Sequence, residues 1–80
     1  GVVMVMPLDL LPDDIIVYKR KIYTVTHKPC ITKFQHGFRY TVPVSRRDYT
    51  TNIRPGWSSN DKIRFADPLE VLARAGEMPK

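Results

Sequence analysis

A small, mainly β domain is the fold class this sequence predicts: a partly open barrel of the SH3-like or OB-like kind, with four or five short antiparallel strands and one short C-terminal α-helix. Three observations carry that expectation. Short runs dense in β-branched and aromatic residues recur through the first half of the chain. One of them, Phe38 to Ser45, alternates strictly, and only Asp67 to Gly76 carries paired helix start and stop signals. A plain antiparallel sheet with the helix on one face is the architectural alternative. Eighty residues suffice for one domain, residues 1–80, with one small core.

The first element is a short strand within Val2 to Met6. Pro7 and Pro12 bracket Leu8-Asp9-Leu10-Leu11 and keep a long helix from crossing it, leaving those leucines to cover one open end of the core. Residues 1–12 could equally serve as an N-terminal docking arm. The apolar run at residues 2–6 is too short to span a membrane and lacks the basic flank of a secretion signal.

Next come two hairpins. Ile15 to Tyr18 and Ile22 to Thr26 are strands, joined through Lys19, Arg20 and Lys21. Tight two-residue turns favour Gly, Asn or Asp because they need positive φ, so a longer or bulged loop with three cations at its tip is expected here. In the second hairpin, Ile31 to His36 leads through His36-Gly37 into Phe38 to Ser45. Phe38, Tyr40, Val42 and Val44 should face the core, with Arg39, Thr41, Pro43 and Ser45 outward. Pro43 has no amide to donate, so the strand should end near it, bulge there or lie at an edge.

Residues 45–61 show little periodicity and read as a long loop. Within it, Arg54-Pro55-Gly56-Trp57 fits a type II turn with Gly56 at positive φ, and Ser58 to Asp61 reads as a second turn. Lys62 to Phe65 follows as a short strand with Ile63 and Phe65 inward. The C-terminal helix spans residues 67–76: Asp67 as N-cap, Pro68 at the first helical position, Glu70 completing a capping box and Gly76 as the stop.

Charge is the strongest functional signal. Residues 1–14 hold three acids and no base, and residues 15–47 hold eight Lys or Arg and no acid. Five of each sign balance in residues 48–80, so the whole formal excess of +5 lies on the hairpins. Such a block favours an anionic partner, whether nucleic acid, an acidic protein surface or a lipid headgroup surface. The outward cations, Lys19, Arg20, Lys21, Lys33, Arg39, Arg46 and Arg47, are the candidate nucleic-acid-binding set, since they can neutralise phosphates while neighbouring aromatic rings stack on unpaired bases.

No catalytic residue is assigned. His27 and His36 have no nearby acid to orient them, and one Cys with two distant His does not make a structural zinc set. No phosphate-binding glycine loop is present, and no cofactor or metal is expected. Cys30 cannot form an intrachain disulfide, which fits a reducing, cytoplasmic setting. The sequence thus points to a non-enzymatic basic module that contacts nucleic acid or a nucleoprotein machine. A small protein-interaction or regulatory subunit, docking through residues 45–61 with Trp57, Tyr49 and Arg54 at the contact, is the alternative.

Overall fold

The computed structural model describes residues 3–35, 37–59 and 68–76. Eight strands and one short 3-10 helix follow in the order β1 (Val3–Val5), the 3-10 turn (Pro7–Asp9), β2 (Ile15–Tyr18), β3 (Lys21–Val25), β4 (Cys30–Phe34), β5 (Gly37–Arg46), β6 (Tyr49–Ile53), β7 (Trp57–Ser59) and β8 (Leu69–Ala73). All pairings are antiparallel. The sheet curls into a half-barrel, so the mainly β expectation holds, with more strands than the sequence suggests and no α-helix among the described residues.

Strand β5, ten residues long, is the spine. On one side its C-terminal half pairs with β3 (Val44 opposite Val25) and its N-terminal half with β4 (Thr41 opposite Cys30). On the other side the C-terminal half pairs with β6 and the N-terminal half with β7. The chain therefore forms one half-sheet in the order β1-β8-β2-β3-β5-β6 and a second, smaller one of β4, β5 and β7.

The core lies on the inner face of the larger half-sheet. Leu10, Ile16, Tyr23, Val25, Val42, Val44, Ile53, Leu69 and Val71 form it, with Val5 and Tyr18 packed at its margin. Alternation explains the set: Tyr23 and Val25 of β3 share a face with Ile16 of β2 and Val44 of β5. Phe38 lies outside this cluster in the smaller half-sheet and is only half-buried, whereas Tyr40, Val42 and Val44 are buried as expected. Of the leucines before β2, Leu10 alone enters the core, and Leu8 and Leu11 stay exposed.

The structure departs from the expected elements at several points. The β2–β3 connection is a two-residue turn, not a longer loop, because Tyr18 pairs directly with Lys21. Lys19 and Arg20 both adopt positive φ (49° and 67°), the type I′ pattern whose twist matches that of the flanking strands. Strand pairing outweighs the local preference, and Lys19 Nζ rests 5.4 Å from the centroid of the Tyr18 ring.

Strand β5 does not stop at Pro43. Its carbonyl accepts the Thr26 amide at 2.9 Å, and because amide and carbonyl of one extended residue point the same way, the missing donor faces the gap where β3 gives way to β4. Only the reciprocal bond to the Thr26 carbonyl is missing, at the point where β3 has already ended at Val25. Thr41, expected outward, is buried, its hydroxyl 2.9 Å from that of Thr32.

The described part of the expected 45–61 loop, residues 45–59, is not a loop: it contains the end of β5, β6 and β7. Gly56 is not at positive φ, which excludes the type II turn, and its carbonyl accepts the Tyr40 amide at 3.0 Å. Ser58 and Ser59, expected in a turn, belong to β7.

In place of the C-terminal helix over 67–76, Leu69–Ala73 is a strand held between β1 and β2. Leu69 and Val71 face the core with Glu70 between them on the other face, a period-two pattern that the capping signals obscured. Gly76 does take positive φ, at 82°, just beyond that strand. The proposed strand at 62–65 and the Asp67 cap lie outside the described residues, as does His36. Among the described residues no helix is long and apolar enough to cross a membrane.

Candidate nucleic-acid interface

The seven cations singled out by the sequence fall into two groups. Because β3 begins at its turn and β5, antiparallel to it, ends beside that turn, Lys19, Arg20 and Lys21 share one end of the large half-sheet with Arg46 and Arg47. Lys33 and Arg39 belong to the smaller half-sheet. Seven residue-to-residue steps along extended β5 separate Arg39 from Arg46, roughly 24 Å at the rise of a strand.

The five-cation end is built from two tight turns. Arg46 pairs with Tyr49, so Arg47 and Asp48 alone turn the chain, with Arg47 at φ 57° in a position usually given to glycine. Lys19, Arg20, Lys21 and Arg47 are exposed and Arg46 is half-buried. Among the described residues none of these five side chains enters an ion pair, and Asp48 is the one acid in the two turns. Tyr49, 43% exposed, adds an aromatic surface beside Arg46.

Tyr18 borders the same end. Its ring lies under Lys19 Nζ, and its hydroxyl donates a long, 3.4 Å hydrogen bond to the Arg54 carbonyl. That contact spans from β2 to the segment after β6 and reports the curl of the sheet. Arg54 itself is exposed at the far end of β6, and Trp57 stands opposite Arg39 in register. The three residues of the alternative docking site are thus divided: Tyr49 joins the basic end, while Arg54 and Trp57 do not.

Elsewhere the surface offers less chemistry. A shallow open groove of about 420 Å³ lies beside β6, lined by Thr26, His27, Pro43, Val44, Thr50, Thr51 and Asn52. His27 is exposed there, its Nδ1 3.1 Å from the Thr26 hydroxyl. No group of three or more His, Cys, Asp or Glu among the described residues could hold a metal ion. Cys30 is an exposed free thiol on β4.

Sequence reasoning missed one important polar residue. Asp14 is fully buried and accepts hydrogen bonds from the Leu11 amide (2.8 Å) and the Ala75 amide (2.6 Å), with Arg74 Nε 3.7 Å away. Arg74 also donates to the Asp9 carbonyl at 3.2 Å. Pro12-Asp13-Asp14 reads locally as a surface turn, and nothing in the sequence distinguishes the second aspartate from the first. The role is structural: it ties the entry of β2 to the exit of β8.

Neither protein-family models, nor curated proteins, nor solved structures include a match to this chain.

Proposed function

We propose that this chain is a non-enzymatic binding module that contacts nucleic acid through the end of the sheet carrying Lys19, Arg20, Lys21, Arg46 and Arg47. The observation that supports this most is the convergence of two basic turns, from strands that are neighbours in space but far apart in sequence, on one surface. Cations in solvent and outside ion pairs are available to neutralise phosphates and release counterions. The exposed ring of Tyr49 gives an unpaired base a face on which to stack. Two-residue turns hold the basic tips on short tethers, which lowers the ordering cost of binding.

The direct experiment is fluorescence anisotropy at low salt with labelled single-stranded DNA, single-stranded RNA and duplex DNA. Binding that weakens steeply with added salt supports the reading; no binding to any of the three at low salt rejects it.

A protein partner is the second reading, favoured by the outer face of β1, β8, β2 and β3, where Met4, Leu72 and Ile22 are each more than half exposed. Capture of a partner from lysate that survives nuclease treatment, and is lost on Ile22→Asp, would favour it over nucleic acid.

A further inference from the structure

We infer that the free edge of β6 is a self-complementary edge through which two copies of this chain pair as a two-fold symmetric dimer, continuing the sheet across the axis. The inference stands apart from the nucleic-acid reading. Strand β6 pairs with β5 on one side, and no strand pairs with its other side among the described residues. Tyr49, Thr50, Thr51 and Asn52 are all exposed, and the strand contains no Lys, Glu or Pro of the kind that usually blocks an open edge.

Hydrogen-bond polarity decides which backbone groups are free. The Pro43 carbonyl bonds toward Thr26 and the Tyr40 amide toward Gly56, so along this part of β5 the odd residues address β3 and the even ones address β6 and β7. Val42, Val44 and Arg46 stand opposite Ile53, Thr51 and Tyr49, whose amides and carbonyls are therefore turned inward. Thr50 and Asn52 direct theirs to the open edge. An antiparallel partner strand must consequently bring its own outward-facing groups to Thr50 and Asn52.

For a second copy, three symmetric registers meet this condition, centred on Thr50, Thr51 or Asn52. Centring on Thr50 pairs only Tyr49, Thr50 and Thr51 within the edge strand, because the chain turns away into β5 at Arg47 and Asp48. Centring on Asn52 leaves Asp48 and Arg54 opposite uncharged residues. Centring on Thr51 makes every position complementary: Thr50 exchanges both backbone bonds with Asn52 of the second copy, Thr51 meets Thr51 and Tyr49 meets Ile53. In that register Asp48 also faces Arg54. Thr–Thr, aromatic–β-branched and opposite-charge pairs are the cross-strand combinations that stabilise sheets. The backbone match covers all five residues of β6, and Asp48 in the turn before it and Arg54 just after it are both exposed and outside any ion pair among the described residues.

Sedimentation equilibrium up to about 0.5 mM chain tests the inference, a range suited to a small interface of this kind. The expected result is a reversible monomer–dimer equilibrium. Asp48→Arg and Arg54→Asp alone should each weaken dimerisation about tenfold, because each sets like charges opposite one another at both ends of the ladder. The double variant should restore affinity to within about twofold of the unmodified chain, since the pairs are re-formed with their signs exchanged. Thr51→Lys, which sets two cations against each other on the axis, should leave only monomer. All three substituted positions are exposed, and circular dichroism melts verify folding. A chain that stays monomeric throughout the range overturns the inference. So does a dimer indifferent to Thr51→Lys, or one that the double variant fails to restore.

Discussion

The Asp14 carboxylate accepts the Ala75 amide at 2.6 Å, joining residues 61 positions apart in the chain. Its second oxygen accepts the Leu11 amide, and the carboxylate is wholly shielded from water. One short side chain thus fastens the turn before β2 to the end of β8, strands that are already neighbours in the sheet. Asp14→Ala leaves two amides without acceptors and Arg74 without its ion-pair partner, and should destabilise the fold by about 3 kcal/mol. Asp14→Asn keeps one acceptor oxygen and should cost less. Urea unfolding with an unchanged m value measures both.

The β2–β3 turn carries strain that glycine would relieve. Arg20 at φ 67° occupies the position that type I′ turns usually give to Gly. Arg20→Gly should stabilise the protein by about 1 kcal/mol. The same change removes one cation from the basic end, so nucleic-acid binding should weaken while the melting temperature rises. Stability and affinity moving in opposite directions would show that the residue is retained for contact, not for folding.

The two half-sheets should respond differently to truncation. Val42 is fully buried in the core of the large half-sheet, whereas Ile31, on β4 of the smaller one, is 36% exposed and outside the core cluster. Val42→Ala should cost about 2 kcal/mol, and Ile31→Ala about 0.5 kcal/mol or less. Chemical denaturation of both variants checks the division. Equal costs would mean that the smaller half-sheet is part of the same cooperative core.

Where side chains alternate between core and solvent, the sequence alone discloses the strand. Tyr40, Val42 and Val44 announce β5, and Ile16, Tyr23 and Val25 announce the first hairpin. Strand β6 was illegible for the opposite reason: Tyr49, Thr50, Thr51 and Asn52 are all exposed, so no hydrophobic period exists to read. At strand β8, Pro68, Glu70 and Gly76 imitate helix boundaries, and pairing with β1 and β2 overrides that local signal. The basic block was legible as a charge total but not as a surface. Antiparallel topology, which no single segment encodes, brings Arg46 and Arg47 to Lys19 and separates Lys33 and Arg39 from them.

That separation yields a positional prediction. Lys33 is exposed on β4, opposite Phe38 and far along β5 from the basic end. Lys33→Glu should change nucleic-acid affinity by about twofold or less, while Lys21→Glu should reduce it about tenfold. Anisotropy titrations at one fixed salt concentration compare them. A flat ranking of the two would mean that the cations act only through total charge.

Salt dependence of binding to a labelled single-stranded oligonucleotide tests the central claim most directly, with the unmodified chain and the Arg46→Glu, Arg47→Glu double variant run side by side. Five cations meeting phosphates of a single strand should give a log-log slope of about −3.5, and the double variant should flatten it by about 1.4 as two contacts are lost. A slope near zero for the unmodified chain, or one that the double variant leaves unchanged, would contradict the assignment of nucleic-acid binding to this end of the sheet.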